Sequence, residues 1–226
     1  MPFFEELQKR TGAARAELLA IPIIRDCLAG RVTREQYLAF LGQAYHHVRH
    51  TAPLLMACGS RLPDSHAWLR VAVARYIEDE TGHEEWILSD IAACGGDPGA
   101  VRAAAPAPAT ELMVAYAYDY IARHNPVGFF GMVHVLEGTS QAIASQAAQV
   151  MQQGLGLPPE AFTYLTSHGA LDQEHVRFFA GLMDCLESRA DRDAVTHVAG
   201  MILRLYGDVF RALPRARASV PGREAA

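Results

Sequence analysis

The sequence predicts an all-α protein, and three observations carry that prediction. Apolar residues recur at helical spacing in long amphipathic runs; β-branched residues do not cluster; no stretch alternates apolar and polar residues over the length of a strand. Half of the 226 residues are hydrophobic, enough to bury a substantial core.

The elements follow in order. Residues 3–19 read as an entry helix, and a brief second helix follows Pro22. Thr33 reads as an N-cap, with Gln36 completing a capping box that opens a long helix to Cys58, which Pro53 is expected to kink. Asp64 is expected to cap the next helix, which runs to Cys94 and stops at Gly95-Gly96. The stretch "GGDPGAVRAAAPAPAT", rich in Pro, Gly and Ala, reads as a surface connection. Thr110 is expected to cap a helix ending near Arg123, and "NPVG" breaks the chain before a helix over 127–153. Pro158-Pro159 open the next helix, and Asp191 opens a last one ending near Pro214. Residues 1–213 are expected to form one domain, and 214–226 a disordered tail.

Composition narrows the function classes. The formal charge is −5, and basic residues are scattered until the tail "PRARASVPGRE", so neither a nucleic-acid groove nor a polybasic membrane anchor is expected. The N-terminus "MPFFEELQKR" does not read as a signal peptide, and no span has the ~18 to 20 apolar residues of a membrane helix. Cys27, Cys58, Cys94 and Cys185 lack metal or redox spacing and read as free thiols, which fits a reducing cytoplasm. Small-molecule chemistry is the expectation.

The chain has ten histidines, and two carboxylate-x-x-His spacings stand out: Glu80-x-x-His83 in "EDETGHEEW" and Asp172-x-x-His175 in "LDQEH". On a helix such residues lie about 60° apart, close enough to hold one ion. His168 shares a helical face with Asp172 and His175. Glu137, in "GMVHVLEGTSQAIAS", sits among apolar and small residues, where a lone ionised carboxylate would be costly and a metal or cationic partner would offset that cost. In helix-bundle dimetal proteins, carboxylate-x-x-His pairs on two helices are joined by single carboxylates from two others. The remaining helix, "QYLAFLGQAYHHVRHTAPLL", offers His47 as a ligand, with His46 and His50 as alternatives on an adjacent stripe. His134, one turn before Glu137, is a candidate neighbour of the ligands, and Tyr45 and Phe130 are candidate pocket residues.

The order Glu80-x-x-His83, Glu137, then His168-x-x-x-Asp172-x-x-His175 resembles the haem-oxygenase-like diiron oxidases, a branch of the fold shared with TenA thiaminases and the pyrroloquinoline-quinone synthase. The added His168 is similar to a three-histidine N-oxygenase subgroup, which also draws a carboxylate from the first core helix, where this chain has histidines. The resemblance implies a haem-oxygenase-like bundle of about seven to eight helices and two iron ions as cofactor. Glu80 or Glu137 would bridge the ions, His83, His168 and His175 would terminate them, and Asp172 would complete the second site. Dioxygen would be the co-substrate, activated as a peroxo-diferric species to oxidise a small molecule. N-oxygenation of an amine in natural-product biosynthesis is the favoured outcome. An external electron donor and a homodimer are implied as well. Two other readings stand beside this one: a metal-free TenA-like hydrolase or cofactor-biosynthesis enzyme working by acid–base chemistry, and a helical binding protein without catalysis.

Overall fold

Caps and chain breakers set the helix order. In the computed structural model the described residues are 1–215, and the side chains of 168–175 lie outside that description. The described residues hold eleven α-helices and no strand. They are α1 (Phe3–Leu19), α2 (Pro22–Leu28), α3 (Arg34–Val48), α4 (Thr51–Arg61), α5 (Ala67–Glu80) and α6 (His83–Ala93). Then come α7 (Pro98–Ala103), α8 (Pro108–Arg123), α9 (Phe130–Leu155), α10 (Thr163–Asp184) and α11 (Arg189–Arg211).

Several starts match the sequence reading. Thr33 and Gln36 form the capping box at α3, with Gln36 Oε1 accepting the Thr33 N–H at 2.9 Å. Pro22 takes the first position of α2, where its missing N–H costs nothing. Elsewhere the structure divides what the sequence reading joined. The predicted helix from Thr33 to Cys58 is two, broken at Arg49 and His50, and Pro53 lies harmlessly in the first turn of α4 instead of kinking a helix. Asp64 begins a short 3-10 turn, and α5 starts only at Ala67. Thr110 is no cap: α8 begins at Pro108, and the buried Thr110 hydroxyl donates to Gln43 Oε1 at 2.7 Å. The Pro-rich connection contains α7, started by Asp97, whose carboxylate accepts the Gly99 and Ala100 N–H groups. These breaks and this extra helix turn the expected seven or eight helices into eleven.

The long α9 runs through both apolar clusters of the protein. Its first half contributes Phe130, Met132 and Val135 to a core shared with α1, α4, α5 and α11, and its second half contributes Ala144, Ala147 and Met151 to one shared with α3 and α6. Its heaviest packing is against α10 and α11. Gly131 permits the close approach to α11, since a Cβ there would meet the Val195 carbonyl oxygen and the Ala199 amide nitrogen. Pro214, expected to begin a loose tail, is tied down by Gln36, whose Nε2 donates to its carbonyl at 2.9 Å. Residues 216–226 lie outside the described residues.

One polar contact fixes the start of α10. Asp90 on α6 is fully buried; its Oδ1 accepts the Thr163 N–H at 3.0 Å and its Oδ2 the Tyr164 N–H at 2.9 Å. A side chain from another helix therefore satisfies two of the unpaired donors of α10. Burial pushes the Asp90 carboxyl up to about 6, against the pull of its hydrogen bonds to Tyr164 and Thr163. A carboxyl raised in this way contributes most to stability below its ordinary value of 3.8, and that contribution is lost as pH rises through about 6. Denaturant titrations should show wild type losing stability relative to Asp90→Asn across that window; a constant difference between the two would refute the assignment. Asp90→Ala, which removes both acceptors, should cost about 1–2 kcal/mol.

Candidate metal centre

Glu80 ends α5 and His83 begins α6, so the pair straddles a chain break instead of sharing one continuous helix as the sequence reading had it. The break has a local cause. Thr81 folds its hydroxyl back to the Ile77 carbonyl, and Gly82 takes φ +94°, a left-handed conformation in which a side chain would be strained. The break still brings the two donors together, with His83 Nδ1 3.0 Å from Glu80 Oε2. Both side chains are largely buried, at 5% and 12% exposure. Adjacent ligands on an octahedral ion with bonds of about 2.1 Å also lie roughly 3 Å apart, so the spacing suits two neighbouring ligands of one metal.

Glu80 opens onto a long cavity, about 1370 Å³ of empty space including its solvent-open mouth. Glu137, Tyr76 and His47 line the same cavity. Tyr76 is 2% exposed, and burial, together with the charges of Glu137 and then Glu80, holds its hydroxyl well above the usual phenol range. Tyr76, Glu80 and Glu137 thus share one cavity wall. Tyr76 was not singled out from the sequence, although it stands four residues before Glu80 and so on its face of α5.

The other candidates fall as follows. His47 is 4% exposed, lines the cavity and meets Tyr206 edge-on. His46 packs edge-on against Tyr45, and His50 Nδ1 lies 3.1 Å from the Tyr118 hydroxyl; neither lines the cavity. Tyr45 is buried beneath the Arg49 guanidinium and Phe130 is fully buried in the core, both away from the cavity wall, where Phe129 takes the neighbouring place. His134 bonds to Arg15 at 3.1 Å, and lines, with Arg15 and Glu137, a small cleft on the other side of α9. Burial first, and Arg15 second, lower its pKa to about 3. It is therefore a neutral imidazole whose Nε2 accepts from Arg15, since a guanidinium can only donate.

His168, Asp172 and His175 lie on α10, and their side chains are outside the described residues. The backbone of α10 packs on α9, which carries Glu137, and on α6, which carries His83. Among the described residues no group of three or more His, Cys, Asp or Glu side chains is arranged to hold a metal ion. The described donors are the Glu80–His83 pair and Glu137, two carboxylates and an imidazole in an apolar setting. Such a mixed set fits a first-row metal such as iron.

Comparison with known proteins decides which metal chemistry this is. Residues 38–207 match the family described as iron-containing redox enzymes. The chain belongs to that family. As an iron-containing redox enzyme it is an oxidoreductase, which speaks against the metal-free hydrolase and the non-catalytic binding protein. It is 24% identical over 195 residues to the 4-aminobenzoate synthase of Chlamydia muridarum, covering 84% of this chain and 82% of that one. Its fold is haem-oxygenase-like: a domain of unknown function with that fold from Shewanella denitrificans superposes with a TM-score of 0.82 at 26% identity, over 93% of this chain and 91% of the other. A TenA homologue from Pseudomonas syringae superposes with a TM-score of 0.76 at 10% identity, over 93% and 92% of the two chains, a likeness of fold alone. Among the described residues no helix of this enzyme is long and apolar enough to cross a membrane.

Proposed function

We propose that this iron-containing redox enzyme is a diiron oxygenase that N-oxygenates an amine bearing an extended apolar body. The observation that carries the reading is the shape of the cavity around Glu80 and Glu137. Along α9 it is lined from Met132 to Met151, about 28 Å of helix axis. Beyond Glu137 the α9 wall is Ser140, Ile143, Ala144, Ala147 and Met151, a stripe of helical spacing whose small members leave room. The wall is mostly apolar, with Glu80, Glu137, Tyr76 and His47 among its polar members. An apolar body would lie along the stripe with its amine directed at Glu80 and Glu137.

Glu80, His83 and Glu137 would hold iron, together with His168, Asp172 and His175 from α10, and His47, which lines the same cavity, would complete the set. Bound iron would supply the one-electron chemistry that lets dioxygen react with a closed-shell amine. The chain's own residues do the rest. Glu80 and Glu137 would supply negative charge to offset that of the ions. Tyr76, whose hydroxyl is held protonated by burial and the nearby carboxylates, would offer a hydrogen-bond donor to the site. The apolar walls exclude water from the reacting nitrogen. The 4-aminobenzoate synthase relative makes an arylamine, which supports nitrogen chemistry at such a site. An external electron donor and a homodimeric assembly belong to the same proposal.

Anaerobic titration with ferrous iron followed by exposure to dioxygen tests it. Two iron equivalents per chain and dioxygen consumption stimulated by long-chain or aryl-alkyl amines are expected. Binding of one equivalent or none, without dioxygen uptake, would sink the proposal.

A further inference from the structure

Trp86 lies one helical turn after His83 on α6, and its indole stacks on the His83 imidazole with ring centroids 4.1 Å apart and planes 24° from parallel. His83 is 4% exposed and turns Nδ1 to Glu80 inside the protein. Trp86 is half-buried and directly follows the exposed Glu85. A single π-stack therefore joins a buried candidate ligand to the surface. The chain's other tryptophan, Trp68, stacks on His66, which pairs with Asp191 at 2.9 Å, and has no part in the cavity wall.

The chemistry of the stack is directional. Indole gives up an electron far more readily than a phenyl ring, and its electron-rich face favours a neighbour carrying positive charge, as an imidazole bound to a metal ion does. The groups packed around a metal's ligands tune its potential and its access to solvent. In contact with the His83 ring, the indole overlaps the π-system of a ligand.

We propose that Trp86 is the electron-entry residue of the centre, an inference that rests on the iron-site reading above. An external one-electron donor, a reduced flavoprotein or iron–sulfur protein, would meet the solvent-facing edge of the indole, and its electron would tunnel across the stacked indole and His83 imidazole to the iron, which gains the electron the donor loses; neither ring is oxidised. The N–H proton stays on the ring throughout, so no bond is made or broken, and the donor is the species finally oxidised.

The experiment compares the full-length wild type with Trp86→Phe, Trp86→Tyr and Trp68→Phe. Iron content is measured first by elemental analysis. The air-oxidised, iron-loaded proteins are then reduced anaerobically by photoreduced flavin in a stopped-flow instrument. Trp86→Phe is expected to hold wild-type iron and to be reduced about 10-fold or more slowly, while Trp68→Phe keeps the wild-type rate. Cobalt(II) titration of Trp68→Phe, in which Trp86 is the lone indole, should quench its fluorescence in step with metal bound. Trp86→Tyr keeps an aromatic stack and decides the matter if the phenylalanine variant binds iron poorly: an intermediate reduction rate is expected. Reduction of iron-replete Trp86→Phe or Trp86→Tyr at the wild-type rate overturns the proposal. Failure of the wild type itself to bind iron would appear at the first measurement as failure of the centre, and the Trp86 role would fall with it.

Discussion

His83→Ala should lose its iron. Removing a group that merely orients a metal ligand costs about 10- to 100-fold in affinity, so deleting a direct ligand should exceed that range. Dioxygen uptake should fall with the bound iron. Glu80→Ala should behave alike, and the double variant should be little worse than either single one, because two ligands of one ion act as a unit and their effects do not add. Glu78→Ala, an exposed carboxylate in the same acidic run, serves as the control and should keep its iron. Elemental analysis of proteins loaded anaerobically decides it: wild-type iron content in His83→Ala would remove Glu80 and His83 from the site.

Gly131→Ala should destabilise the fold although alanine is the better helix former. Propensity alone would favour the alanine by about 1 kcal/mol. Against that, the new Cβ would press on the Val195 carbonyl oxygen and the Ala199 amide of α11, which are backbone atoms with no rotamer to yield. Relief requires α9 and α11 to separate, and overpacking of this kind costs about 1–3 kcal/mol or more. The net loss should lower the melting temperature by several degrees, at about 2–4 °C per kcal/mol for a chain of this size. Gly200→Ala on α11 is the contrasting test, since a Cβ there meets nothing within 4 Å and should stabilise. Thermal melts of the two variants moving in the same direction would contradict this account of the α9–α11 contact.

Two glycines, one beside the candidate site and one at the α9–α11 contact, show how far the sequence could be read. Gly82 and Gly131 both interrupt helical runs, and composition does not distinguish them. Gly82 breaks the chain because it takes a left-handed φ between Glu80 and His83, whereas Gly131 stays helical because α11 passes too close for any larger residue. The Glu80-x-x-His83 spacing was legible, but on the assumption of a continuous helix that the protein does not contain. Tyr76 and Trp86 went unmarked for a related reason. An aromatic residue in a helix is ordinarily core, and only the folded geometry shows that Tyr76 lines the cavity with Glu80 and Glu137 while Trp86 stacks on a candidate ligand one turn away.

Local chemistry is what the sequence determined by itself. Helical periodicity, the Thr33–Gln36 capping box, the proline that opens α2, and the ligand-type residues in their order along the chain each depend on residues within a turn or two of one another. Tertiary structure decided what depends on distant partners. Ser140, Ala144 and Ala147 could have served helix packing alone, yet they also line a cavity, together with Ile24 and Cys27 of α2 and Tyr37 and Phe40 of α3. His47, and neither His46 nor His50, reaches that cavity because successive residues on a helix point about 100° apart. Which of those directions faces inward is set by the helices packed around α3, and no short stretch of sequence contains them.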